Sequence, residues 1–267
     1  MNILHVLFKT SIGKKVAMAV TGFILFGFVI GHLSGNLQIF AHPDKINGYA
    51  HLLESLGPAL WVIRLFLIVT VVVHIWVAVQ LTFENRAARP DGNQKQITLR
   101  ATLASRYMRW SGFVVLAFIV YHILHFTVRV THGPGAYPMT VLADGTVVRD
   151  VHSMMVLGFQ NPLLATCYLI SVGLLSWHLR HGLVSMFQSI GLRTRPWSRF
   201  LERVSVIFCV LYFLGNALIV VAAMTGQIRI QNPLVAGYAC RDACDVCGAI
   251  NTEAIVENVD VAKDNQS

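Results

Sequence analysis

Five runs of mostly apolar residues, at roughly 16–40, 60–83, 108–130, 160–187 and 203–226, each reach the ~20 residues that a helix needs to cross a bilayer. The chain between them is short and polar. A spanning run must be helical, because lipid offers backbone amides no partner and an open strand cannot satisfy them. The expected fold is therefore an all-α integral membrane protein of five transmembrane helices. Mean hydropathy of +0.60, with 55% apolar and only 13% charged residues, argues against a soluble domain. The formal net charge of +8 does not mark a nucleic-acid binder, since the Lys and Arg fall between apolar runs and form no basic stripe with interleaved aromatics.

Those cations set an orientation instead. Lys9, Lys14 and Lys15 precede or open the first run. Arg86, Arg89, Lys95, Arg100, Arg106 and Arg109 lie between the second and third, and Arg193, Arg195, Arg199 and Arg203 between the fourth and fifth. The positive-inside rule places all three groups on the cytoplasmic side. The connections at 41–59 and 131–159 hold few Lys or Arg, and an odd number of spans sends the C-terminus outside. The first run outlasts a signal-peptide core and has no prompt small-x-small cleavage site, so it reads as a retained helix. Residues 1–230 then form the membrane domain and 231–267 a polar, Cys-containing tail.

The connections are mostly plain. Asp144-Gly145 between β-rich flanks predicts a small hairpin capping the outer face. Gly and Pro punctuation around 41–59 leaves room for a short helix at 48–56. The loop ENRAARPDGNQKQ is a solvated turn with nothing catalytic. There is no repeat in the strict sequence sense and no low-complexity tract.

Four of the runs contain a histidine: His32, His74, His122 and His178. One imidazole in a bilayer can simply hydrogen-bond a neighbouring helix. Four in successive helices point to a site, because ionisable groups are expensive there. Helical rise places His32 and His122 roughly 24 and 21 Å from the inner ends of their helices, and His74 and His178 roughly 21 and 24–27 Å from the outer ends of theirs. They sort into two pairs at two depths, ~14 Å apart by the same rise. Two facing imidazoles per level suit axial ligation of haem iron from both sides, which fills the iron's axial positions and favours electron transfer over oxygen binding. Zinc fits less well, needing three or four protein ligands. Beside His32, Gly27, Gly31 and Gly35 form a stripe that serves either close helix packing or clearance for a porphyrin edge. His125 and His181 lie one turn beyond His122 and His178, so spacing alone does not say which member of each pair ligates; depth slightly favours the first. The second members serve either as polar residues near a helix end or as holders of a propionate or quinone.

On SIGKKVAMAVTGFILFGFVIGHLSGN, GYAHLLESL, VVVHIW, WSGFVVLAFIVYH and SWHLRHGL, in that order and spacing, the chain resembles the single-chain dihaem cytochrome b membrane anchor of succinate dehydrogenases and fumarate reductases, the b558 type. The resemblance covers roughly residues 10–226. It implies that the first four helices form a haem-binding bundle, with His74 and His178 as ligands of the inner, proximal haem b and His32 and His122 of the outer, distal one. It also implies a flavoprotein carrying FAD and an iron–sulfur partner subunit on the cytoplasmic face of a bacterial inner membrane. Neither partner is encoded here, since the chain has no Gly-rich dinucleotide loop and no complete set of cluster ligands. Electrons would pass from succinate through those partners and the haems to a quinone, usually menaquinone. His51 and Glu54 fall where the family's distal quinone site is expected, where a carboxylate could exchange protons with quinone; otherwise they are a solvated carboxylate and a helix-capping His. Ser176 stands where some fumarate reductases of the family carry a Glu linked to transmembrane proton movement, which leans toward succinate oxidation. Two rivals are a hydrogenase or formate dehydrogenase cytochrome b, and a metal or proton transporter using the same histidines.

The tail carries Cys240, Cys244 and Cys247 in CRDACDVC. Three cysteines on a polar tail make a poor cluster site, and no His follows the CxxC as c-type haem attachment requires. Outside the membrane a disulfide with one thiol left over is the natural alternative. Cys167 and Cys209 lie in apolar runs and read as buried packing residues.

Overall fold

A computed structural model of the chain describes residues 9–88, 103–130, 138–192 and 194–232. The cysteines at 240–247 and most of the basic second-to-third loop lie outside them. The chain divides into a unit ending at Arg229 and a second beginning at Ile230. The first holds every helix and strand among the described residues.

Five helices are long and apolar enough to cross a membrane, spanning Ser11–Phe40, Pro58–Ala87, Tyr107–Val128, Pro162–Ser189 and Pro196–Met224. The protein is a multi-pass helical membrane protein. Helix α1, Ser11–Asn36, starts where the Thr10 side chain accepts the Gly13 amide, and tightens into a 3-10 turn over Leu37–Phe40. The short helix α2, Pro43–Ser55, starts five residues ahead of the predicted one because His42 caps it and Pro43 suits the first helical position. Gly57, at φ +53, then turns the chain into α3, Pro58–Ala87. Helix α4, Leu103–His122, continues as a π-helical turn over Ile123–Val128 and ends at Arg129, whose φ of 64 is left-handed.

The expected hairpin is present. Strands β1, Met139–Val141, and β2, Val147–Arg149, pair antiparallel with Met139 opposite Arg149. The turn depends on Gly145 at φ +85 and on Asp144 accepting the Thr146 amide. A helix that the sequence patterning does not announce comes next: α5, Val151–Gln160, capped by Asp150, which accepts the Ser153 amide. Asn161 caps α6, Pro162–Ser189, and α7, Arg195–Met224, starts about two turns earlier than its apolar run.

Helix α1 packs on α3, α6 and α7, α4 packs on α6, and α6 on α7. At the far end of α1 and α4, α2, the hairpin and α5 form a cap, which holds some of the most deeply buried side chains, Ile39, Asn47, Val156 and Ser153 among them. At the opposite, loop end, buried Lys14 pairs with Glu84, which also accepts from Ser11. The outward faces are apolar and exposed, as at Trp61, Leu65, Val210 and Leu211, which suits lipid and not water.

The chain has no repeat in the strict sequence sense, but the arrangement shows a looser one. Thr21-Gly22-Phe23 stands eleven residues before His32 as Ser111-Gly112-Phe113 does before His122, and Pro58 stands sixteen residues before His74 as Pro162 does before His178. Long helix, short helix, proline and long helix occur twice, as α1–α2–α3 and as α4–α5–α6. Both halves run in the same sense, the parallel kind of duplication found in membrane bundles. The repeat escapes a strict search because apolar residues interchange at most of its positions.

One residue ties the cap together. Buried Asn47 of α2 donates from Nδ2 to Asp150 Oδ1 (3.3 Å) and accepts the His152 amide at its Oδ1 (2.9 Å), while Ala143 N donates to Asp44 Oδ2 at 3.3 Å. Asn47→Ala should cost about 1–3 kcal/mol, the usual penalty for stranding buried polar groups, read as a lower unfolding temperature in detergent. The His152 imidazole is buried beside this network, with no hydrogen-bond partner for Nδ1 among the described residues. Burial holds it below the ordinary imidazole value, nearby His42 adds to that, and Asp150 opposes. The folded state then binds fewer protons than the unfolded one, so stability rises with pH and is lost as pH falls below about 6.5. Hydrogen exchange in α5 should accelerate over that window, and His152→Phe should flatten the dependence.

Candidate cofactor site

The four intramembrane histidines lie in two layers, each drawing one ring from each half of the repeat. Toward the cap, His32 on α1 and His122 on α4 face each other with ring centroids 5.7 Å apart and planes at 87°. Phe28 stacks on His32 at 5.4 Å, and Phe118, at the matching place in the second half, leans on His122 at 5.8 Å. Toward the loop end, Thr21 Oγ1 of α1 lies 3.0 Å from His74 Nδ1 of α3, and Ser111 Oγ of α4 lies 3.3 Å from His178 Nδ1 of α6. Eleven residues of helix separate each hydroxyl from the upper histidine on its own helix, which is ~16 Å of rise.

The hydroxyls bear on which ring nitrogen is protonated. Thr21 Oγ1 donates to Ala17 O (2.8 Å) and Ser111 Oγ to Met108 O (3.0 Å). A hydroxyl has one hydrogen, so while it is spent on the carbonyl the oxygen accepts from the imidazole, and Nδ1 then carries the proton on His74 and His178, leaving Nε2 with the free lone pair. Gly22 and Gly112 follow the two hydroxyl residues and lie against the same rings; a Cβ there would stand 3.6 and 3.5 Å from Cε1 of His74 and His178.

The helices that carry these rings bury few of their side chains. Of α3, only Thr70 and Val77 are buried, and α1 buries little besides Lys14, Ala19 and Thr21. His74, His122 and His178 are half-buried and His32 is exposed. Rings that are not fully covered by protein leave room for another group to reach them. Two imidazoles on opposite sides of one metal, with bonds of about 2 Å, put their centroids roughly 6 Å apart, close to the separation of His32 and His122. His122 Nδ1 is buried and has no hydrogen-bond partner among the described residues, while His32 Nε2 lies 3.2 Å from Asn36 Nδ2, a contact it would give up to ligate through that atom. Among the described residues, no three His, Cys, Asp or Glu gather into an ion-binding group.

The glycines of the stripe differ in their surroundings. Gly35 packs, since a Cβ there would fall 2.7 Å from the Tyr49 ring, whereas Gly27 and Gly31 face open space. His125 is fully buried and bonds Tyr168 OH through Nδ1 at 2.7 Å. His181 is half-buried. His51 is exposed, and the cap of α2 is His42. Glu54 is exposed and lies 3.5 Å from Arg149 Nε of β2. Ser176 is buried and donates to Val172 O. Cys209 is buried as expected, but Cys167 is exposed, because α6 turns Ala165, Tyr168 and Val172 inward and leaves position 167 outside.

Comparison with known proteins yields no match to any family model, curated protein or solved structure.

Sequence reasoning missed Thr21 and Ser111. Their signal was available in the shared [ST]-G-F spacing ahead of His32 and His122. Gly35→Ala should lower the unfolding temperature in detergent, by about 1–3 kcal/mol of overpacking, whereas Gly27→Ala, with nothing within 4 Å of its new methyl, should not.

Proposed function

We propose that this chain is the membrane-anchor cytochrome b subunit of a succinate:quinone oxidoreductase, carrying electrons between a soluble partner and quinone by way of two bis-imidazole b haems. The observation that carries the reading is the pair of histidine layers, each drawing one imidazole from each half of the repeat. The order of the motifs around those histidines supports the assignment to the dihaem b558 type.

His74 and His178 would hold the haem at the loop end, and His32 and His122 the one at the capped end. A haem with imidazole on both faces supplies one-electron transfer and no open position for oxygen. The chain's own residues do the rest. Thr21 and Ser111 fix two of the rings, Phe28 and Phe118 flank the other two, and the apolar helices keep water away. Gly27 and Gly31 leave clearance beside His32.

By the positive-inside rule the basic loops favour the cytoplasm of a bacterial cell for the N-terminus and the loop end, where a flavoprotein and an iron–sulfur subunit would dock. Quinone, in this reading menaquinone, would be met near the cap, where Glu54 and His51 sit at the surface. Glu54, with Arg149 of the hairpin beside it, would exchange a proton with quinone as its electrons arrive. Ser176, with its hydroxyl tied to its own helix, offers no carboxylate for proton passage, in keeping with succinate oxidation.

A pyridine haemochrome assay should find two b haems per chain, and one or none would overturn the proposal. His32→Ala and His122→Ala should each remove the same haem, and His74→Ala and His178→Ala the other. Covalent flavin should co-purify with the chain; nickel or molybdenum would point to a hydrogenase or formate dehydrogenase cytochrome. A colourless protein that moves protons or metal in vesicles would point to a transporter.

A further inference from the structure

The two layers of histidines are held differently, although the halves that build them repeat. At the loop end, Nδ1 of each ring lies within hydrogen-bond distance of a hydroxyl that also reaches a carbonyl of its own helix. At the capped end, His122 Nδ1 has no hydrogen-bond partner among the described residues, and His32 has an amide at Nε2. A Ser or Thr in a membrane helix ordinarily satisfies itself by bonding back to its own turn. Thr21 and Ser111 do that and also face an imidazole on the neighbouring helix, at the same register in both halves.

We infer that Thr21 and Ser111 are positioning residues, which lock His74 and His178 in the Nδ1–H tautomer and thereby lower the reduction potential of the metal group bound between them. The redox half of this inference rests on the proposed dihaem function; the tautomer half does not. A hydrogen bond from Nδ1–H draws positive charge out of the ring and makes Nε2 a stronger donor, which favours the oxidised metal over the reduced one. Because the hydroxyls serve only one layer, the two haems are tuned separately.

The first test needs no haem. In the haem-free chain with 15N-labelled histidine, at a pH where the rings are neutral, NMR should find His74 and His178 in the Nδ1–H form. Thr21→Val and Ser111→Ala should each release the facing ring to the commoner Nε2–H form. Finding Nε2–H on both rings of the unaltered chain would overturn the inference whatever the haem content.

The second test is a spectroscopic redox titration of the haem-loaded complex. Loss of one hydroxyl should shift the ferric-to-ferrous balance of one haem about tenfold toward ferrous, the lower end of typical outer-shell effects. That is an upward shift of ~59 mV for a one-electron couple. The other haem should stay where it is, and Thr21→Ser should behave as the unaltered chain. Two retained haems with unmoved midpoints, or Thr21→Ser shifting as far as Thr21→Val, would overturn the redox half. If Thr21→Val fails to retain haem, Ser111→Ala and Thr21→Ser carry the same comparison. Haem stoichiometry in the unaltered chain reads the proposed function separately.

Discussion

A ring nitrogen inside an apolar bundle is costly to leave without a partner, and the particular character of this protein comes largely from how its imidazoles are placed. Backbone groups are satisfied within each helix, so the helices could slide and rotate against one another at little electrostatic cost. Polar side chains between them remove that freedom. Thr21 with His74 and Ser111 with His178 fix the register of α1 against α3 and of α4 against α6. Asn47 with Asp150 and the His152 amide closes the two halves together at the cap.

The helices carrying each histidine pair are not packed neighbours. Helix α1 lies on α3, α6 and α7, and α4 on α6, whereas α1 with α4, and α3 with α6, make at most slight backbone contact among the described residues. Each pair thus spans the bundle and not a helix seam. The fifth long helix packs on α1 and α6, with Phe208 against Phe26 and Gly215 letting Leu33 come close. Among the described residues no equivalent helix covers α3 and α4, so the two-fold likeness of the halves stops at the shell around them.

Much of this was legible in the sequence because hydropathy and charge act over whole segments. All five spans, the four histidines, their sorting by depth and the Asp144-Gly145 turn can be read without coordinates. What escaped was specified by single side chains or by residues far apart in the chain. Asn47 and Asp150 are 103 residues apart, and no local pattern announces their bond. Helix α5 depends on Asp150 as its cap and lies in a stretch too short and mixed to stand out. The place of His125 depends on a π-helical turn and on Tyr168, 43 residues onward. Thr21 and Ser111 were hidden by being ordinary residues in apolar runs, visible only when the two halves are set in register.

The duplication also dictates an order of construction. His32 has no facing ring until α4 has been made, and His74 none until His178 arrives on α6. A ribosome that has released only the first half has therefore made two helices that can insert but two half-sites that can hold nothing between them. The capped pair is complete first, while the pair at the loop end waits for another long helix. Capture of any group that needs both rings is thereby deferred until the second half has entered the membrane.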